Sequence, residues 1–148
     1  FFSNKWKPNN KWNLSYGLRL SSFNLLGPGD FYSYSDGIVT DTTSYNSGKI
    51  VETYINLEPR LNVAYILNQS NSIKASYNRN TQNLHLIQNS NSSTPTDIWV
   101  VSSNNIKPEI SDQVSLGYFK NFKNNKYQFS GEVYYKWMQN QMDLKNGA

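Results

Sequence analysis

The sequence has no cysteine and a single histidine, His85. Without thiols there is no disulfide framework, no thiolate metal site and no Cys/His nucleophile. A Ser/His/Asp arrangement would have to use His85, and no nucleophile motif flanks it. Enzymatic activity is therefore not expected, nor is a cofactor or a resident metal. Charge is scarce as well: 16% of the 148 residues are charged, the net charge is +4, and no Lys/Arg run exceeds two residues. Nothing there forms a basic nucleic-acid surface, so no nucleic-acid partner is expected. Long apolar runs are also missing; none approaches the roughly 18 residues of a spanning helix, which excludes a helical membrane protein.

A mean hydropathy of −0.68, with abundant Asn and Ser, resembles the composition of chains that bury too little apolar surface to fold. The aromatic residues contradict that reading: there are 11 Tyr, 7 Phe and 4 Trp. Low average hydropathy does not exclude membrane strands, because only alternate residues of a barrel strand face lipid.

What the sequence does contain is a period of two. Trp12, Leu14, Tyr16, Leu18 and Leu20 alternate with Asn13, Ser15, Gly17, Arg19 and Ser21, so one face is apolar and the other polar. Pro59, Leu61, Val63, Tyr65 and Leu67 repeat the pattern against Arg60, Asn62, Ala64 and Ile66, and Ile73, Ala75 and Tyr77 repeat it against Lys74, Ser76 and Asn78. Val114, Leu116 and Tyr118 follow, opposite Ser115, Gly117 and Phe119. The clearest case is Tyr127, Phe129, Gly131, Val133, Tyr135 and Trp137 against Gln128, Ser130, Glu132, Tyr134, Lys136 and Met138. With a strand before Pro8, the reading counts six strands.

Connections alternate in length. Pro8-Asn9-Asn10, Asn68-Gln69-Ser70-Asn71 and Lys123-Asn124-Asn125-Lys126 are short polar turns of the hairpin kind. Between them lie long segments, about 25–56 and 87–111, rich in Gly, Ser, Asn, Thr and Tyr. Compact domains rarely hold loops beyond about 15 residues, whereas outer-membrane barrels combine short periplasmic turns with long external loops. A tilted strand crosses the hydrocarbon layer in roughly 9 to 11 residues, about the length of these segments. Trp6, Trp12, Tyr65, Tyr127, Tyr135 and Trp137 lie near segment ends, as interfacial girdles require. The expected fold is all-β: an antiparallel transmembrane β-barrel segment, incomplete as a barrel.

Arg79 and Lys120 fit less easily, since both continue the outward parity of their strands. A charge at the bilayer midplane costs about 2 to 4 kcal/mol. Lys120 is near a short turn and can snorkel. For Arg79, either the lipid band ends before it or a bulge resets the parity, as Leu84 and Leu86 on even positions suggest.

The run Asn105-Ile106-Lys107-Pro108-Glu109, followed by Ser111-Asp112-Gln113-Val114-Ser115-Leu116-Gly117-Tyr118, resembles the TonB-dependent receptors of the bacterial outer membrane. There a Leu/Ile-Lys-Pro-Glu run precedes a strand ending in Leu-Gly-Tyr. Glu58-Pro59-Arg60-Leu61 before a strand, and Ser72-Ile73-Lys74-Ala75-Ser76-Tyr77-Asn78-Arg79 after a short turn, are similar to the same barrel region. The resemblance spans about 57–142. It implies a multi-pass strand protein of the outer membrane, from a 22-stranded barrel closed by a plug, that binds a nutrient and imports it with energy relayed by TonB. The expected partners are outer-membrane lipid, TonB through a plug region outside this sequence, a small-molecule or oligomeric nutrient (metal chelate, vitamin or glycan), and a surface lipoprotein. The opening Phe1-Phe2-Ser3-Asn4, with no initiator Met or signal-type core, and the final Gly147-Ala148 read as cuts. Residues 1–148 are then expected to be part of one barrel domain.

Candidate ligand contacts are aromatics in the long segments: Tyr32, Tyr34 and Tyr45 (beside Phe31) in the first, Trp99 in the second. Each either packs its own loop or stacks on a ligand. His85, where a strand should leave the membrane, is either a rim residue or a ligand contact. Arg19, Arg60, Lys74, Glu132 and Lys136 fall on the inward parity, where they line a lumen and touch the plug, guide a charged ligand, or are simply solvated. Asp30, Asp36 and Asp41 offer carboxylates for Ca²⁺, at spacings that do not match an EF-hand. Two other architectures compete: a soluble all-β carbohydrate-binding module, which would bury the apolar faces between two sheets, and a complete eight-stranded barrel.

Overall fold

A computed structural model describes residues 1–88, 97–123 and 126–142. Among them are ten strands and no helix. In chain order they are β1 (Phe2–Asn9), β2 (Trp12–Leu26), β3 (Gly29–Ser35), β4 (Ile38–Tyr45), β5 (Ile50–Asn68), β6 (Asn71–Gln82), β7 (Leu84–Gln88), β8 (Asp97–Val101), β9 (Glu109–Phe122) and β10 (Tyr127–Gln139). Six of them form one sheet in the order β1-β2-β5-β6-β9-β10, while β3-β4 and β7-β8 are separate hairpins. The six expected crossings are the six strands of that sheet. With β1 and β10 at its two edges the sheet is not closed, which overturns the eight-stranded alternative.

The chain divides into two compact units, Phe1–Leu20 with Leu57–Asn80 and Ser111–Met138, and Ser21–Asn56 with Thr81–Ile110 and Gln139–Ala148. In the first, register confirms the alternation. Leu61, Val63 and Tyr65 of β5 lie opposite Tyr77, Ala75 and Ile73 of β6, and Arg60, Asn62 and Ala64 opposite Asn78, Ser76 and Lys74. Likewise Phe2 and Trp6 of β1 face Leu18 and Leu14 of β2, while Ser3 and Lys5 face Gly17 and Ser15. A one-residue slip would invert every one of these pairs, so the apolar pattern and the turns fix the register together.

The short turns differ from expectation by a residue or two. Pro8 belongs to β1, where the register shifts between Trp6 and Asn9; a bulge tolerates a residue that cannot donate to the ladder. The turn is closed by Asn9, whose Oδ1 accepts from the Lys11 and Trp12 amides at 2.9 and 3.1 Å. Asn68 Oδ1 accepts from the Ser70 amide at 3.0 Å in the same manner. Such side-chain turns are the physical reason for Asn at these positions. In the third turn Asn124 and Asn125 lie outside the described residues, and the Lys126 amide donates to the Phe122 carbonyl at 3.1 Å.

Three expectations need correction. Strands outrun the 9 to 11 residues of a crossing: β2 has 15, β5 has 19 and β9 has 14. Pro59 lies within β5, as the alternation that begins at Pro59 expects, and not before a strand as in the motif Glu58-Pro59-Arg60-Leu61; the ladder with β6 begins at Arg60. The first long segment is a hairpin rather than an irregular loop. The second contains β7 and β8, joined through residues 89–96, which lie outside the described residues. Pairing needs only a backbone partner, so strands continue through polar sequence where period-two hydropathy has faded; Thr53 Oγ1 donates to Asn24 Oδ1 at 2.8 Å in such a stretch.

Among the described residues no apolar side chain is buried. Leu18, Leu61, Leu116, Phe129, Val133 and Tyr135 all remain exposed. A soluble sandwich needs a core between two sheets, and none is present among these residues.

Candidate functional site

The polar face of the first unit carries the charged side chains. Arg19 and Arg60 line one groove of about 430 Å³ with Glu58 and Asn62. Arg19 Nε is 3.6 Å from Glu58 Oε2, and Arg60 Nη2 donates to Asn80 Oδ1 at 3.3 Å. A second groove, about 570 Å³, is lined by Lys5, Lys7, Lys74, Phe119 and Glu132. There the Lys74 ammonium lies 4.3 Å from the centre of the Phe119 ring, a cation–π contact. Its geometry depends on Gly117, because a Cβ at that position would stand 2.8 Å from Phe119 Cε2. The cations outnumber the carboxylates along these grooves, so the face attracts anions.

The opposite face is apolar and aromatic but for Asn4, Lys120 and one buried exception. Trp12 and Tyr65 meet with ring centres 4.6 Å apart, and Tyr135 stacks on Trp137 at 5.7 Å. The exception joins β6 to β9: Arg79 Nε and Nη2 donate to Asp112 Oδ1 and Oδ2 at 2.8 and 3.0 Å, and the Tyr77 hydroxyl donates to Oδ1 at 2.7 Å. Asp112 is 0% exposed. No bulge resets the parity before Arg79, since Tyr77 is paired opposite Leu61. The break comes later, at the bend of Asn83. Lys120 places its ammonium 4.7 Å from the centre of the ring of Phe122, two residues nearer the turn.

In the second unit the hairpin β3-β4 turns at Asp36 and Gly37, both with positive φ (51° and 79°), the signature of a type I′ turn. Asn104 and Asn105 donate their side-chain amides to the Tyr32 carbonyl at 3.0 and 2.7 Å. Tyr54 donates its hydroxyl to the Ser103 carbonyl at 2.7 Å; burial, and then the charge of Glu52, push this phenol up, which keeps it a donor. Residues 103–105 are thereby fastened to both β3 and β5.

His85 is buried between Ser102, Nε2 to Oγ 3.3 Å, and Glu109, Nδ1 to Oε2 3.9 Å. The order Ser-His-Glu has the outline of a hydrolytic triad. Ser102 is 0% exposed, however, so no substrate reaches its Oγ, and the His85–Glu109 separation is too long for a hydrogen bond. The cluster ties β7 to β9.

The family model described as TonB dependent receptor-like, beta-barrel, matches residues 1–147. The chain belongs to that family. No curated protein and no solved structure matches it. The TonB-dependent receptors are an outer-membrane receptor family rather than an enzyme family, whose members in general engage TonB and a nutrient.

Against that assignment the expected site residues sort clearly. Arg19 and Arg60 come together in one groove and Lys74 and Glu132 in the other. Lys136 is exposed on β10 and lines neither groove. Tyr45 packs edge-on against Phe31 with centres 5.6 Å apart. Tyr32, Tyr34 and Trp99 stay exposed, and His85 is enclosed. Asp30, Asp36 and Asp41 are not brought together: Asp30 bonds Ser44, Asp41 accepts from Thr43, and Asp36 occupies the turn. Among the described residues no metal-holding cluster is present.

Sequence reasoning missed Asp112 as the partner of Arg79. The available signal was parity, since each stands two residues outside the alternating apolar stretch of its strand, Arg79 after Tyr77 and Asp112 before Val114.

Proposed function

We propose that the chain is part of the barrel wall of a receptor that sits in the bacterial outer membrane, captures a nutrient outside the cell and imports it with energy relayed by TonB through a plug region. The observation that carries this reading is the exposed apolar face of the six-stranded sheet, unburied among the described residues, which suits contact with lipid. On this reading Asn9, Asn68 and Lys123 mark the periplasmic turns, and residues 25–56 and 87–111 face outward and help to capture ligand. The polar face, with Arg19, Arg60, Lys74 and Glu132, lines the lumen and meets the plug or a charged ligand; Lys136 belongs to the same lumen parity of β10. The nutrient is of the metal chelate, vitamin or glycan class, and a surface lipoprotein is a further partner.

Fractionation with and without TonB tests it. The full-length protein should accumulate in the outer membrane, and deleting its gene or TonB should abolish the same nutrient uptake. Recovery of the full-length protein in the soluble fraction would sink the proposal. Residues 1–148 expressed alone should aggregate without detergent, because two strand edges and a broad apolar face are left open.

A further inference from the structure

Hairpin β3-β4 sorts its side chains by face. Asp30 and Tyr32 lie opposite Ser44 and Thr42 on one side, while Phe31 lies opposite Thr43 and Gly29 opposite Tyr45 on the other. Tyr34 follows Tyr32 on the first face by alternation, since the register shift beyond Ser33 places the extra residue, Thr40, on β4. The second face uses its aromatics internally, Phe31 against Tyr45. The first leaves its two rings uncovered: Tyr32 is 43% and Tyr34 54% exposed.

These rings stand on a fixed backbone. The Tyr32 carbonyl is held by two amide donors from residues 104 and 105, and the turn at Asp36-Gly37 is of the type that matches strand twist. The polar residues of the hairpin that share this face by register include Thr42, Ser44 and Asp30, which accepts from Ser44 Oγ at 2.5 Å. Charge narrows the ligand further. Residues 29–45 contain Asp30, Asp36 and Asp41 and no Lys or Arg, so an anion is repelled while a neutral ligand rich in hydroxyls finds acceptors beside two stacking surfaces.

We infer that this face of β3-β4, through Tyr32, Tyr34, Thr42 and Asp30, binds a neutral polyhydroxylated ligand of the glycan class. The inference rests on the receptor reading, which puts the hairpin outside the cell, and it selects one of the three nutrient classes.

The test is calorimetric titration of the detergent-solubilised full-length protein with maltohexaose, xylohexaose and cellohexaose, and with a galacturonic acid hexamer as the anionic comparison. At least one neutral oligosaccharide should bind and the anionic one should not. Tyr32→Ala and Tyr34→Ala should each weaken binding roughly ten-fold, and Tyr32→Phe should retain it. Unchanged heat-modifiable migration on gels controls for folding. Binding of none of the neutral sugars, affinity indifferent to both alanine substitutions, or tighter binding of the anionic hexamer would each overturn the inference. A protein absent from the outer membrane defeats the receptor reading instead; one that is present there, imports a nutrient through TonB and ignores neutral sugars defeats this inference alone.

Discussion

Arg79 and Asp112 form a two-point ion pair on the mainly apolar face of the sheet, with Asp112 wholly enclosed and Arg79 partly exposed. On the membrane reading the pair stands where β6 and β9 leave the hydrocarbon. Removing one partner strands the other. Asp112→Asn and Arg79→Met should each lower the temperature at which the barrel loses heat-modifiable migration, by an equivalent of about 2 kcal/mol, the scale of hydrogen bonds to charged groups. The double replacement Arg79→Met/Asp112→Leu should recover most of that loss, because apolar substitutes suit this face and leave no unpaired charge. A double variant as unstable as the sum of the singles would show that the pair does more than neutralise itself.

Gly117 is the residue that lets Phe119 lie against the wall beneath Lys74. A methyl group there displaces the ring. Gly117→Ala should therefore disturb the Lys74–Phe119 contact and cost about 1 to 3 kcal/mol through overpacking. In the background of Phe119→Leu the same substitution should be nearly neutral, since the obstructing ring is gone. Melting curves of the four proteins decide the point; equal costs in both backgrounds would mean that backbone conformation, not the ring, demands glycine.

Legibility in the sequence followed the physics of each feature. The faces of β2, β5, β6, β9 and β10 were readable because lipid-type exposure imposes strict alternation on neighbours such as Leu61, Val63 and Tyr65. The β3-β4 hairpin was hidden because both of its faces are mixed, although Asp36-Gly37, a strong hairpin dipeptide, marks it. Strand ends were misplaced at Ile50 and Glu109 because pairing persists where hydropathy no longer reports it. Of the site, parity put Arg19, Arg60, Lys74, Glu132 and Lys136 on one face, and only the register of the sheet divides four of them between two grooves. Contacts between strands far apart in sequence, such as Arg79 with Asp112 or His85 with Ser102, depend on register, which no single strand specifies.

The buried Ser102-His85-Glu109 cluster invites a chemical check. If it is a structural tie, a fluorophosphonate probe should not label the folded protein, and Ser102→Ala should leave nutrient uptake unchanged while costing about 1 kcal/mol, the net value of an ordinary hydrogen bond. His85→Leu should be harsher than Ser102→Ala, because it removes the ring's polar contacts with both neighbours and leaves the Ser102 hydroxyl buried without a partner. Labelling of the native protein at Ser102 would contradict the enclosure on which the structural role depends.

The facing of the sheet predicts an asymmetry that single substitutions can expose. Leu18 and Val133 are exposed on the apolar face, 42% and 69%, whereas Ser130 belongs to the polar alternation of β10. An arginine directed into lipid costs about 2 to 4 kcal/mol near the midplane and far less toward a wet interior. Leu18→Arg and Val133→Arg should therefore block assembly of the full-length protein into the outer membrane, seen as loss of the heat-modifiable band. Ser130→Arg should assemble at close to the normal level. Both faces of an edge strand in a soluble protein would meet water, so there Val133→Arg and Ser130→Arg would be equally mild. Equality between these two substitutions would therefore reject the lipid-facing assignment, even though the alternation of β10 itself remained correct.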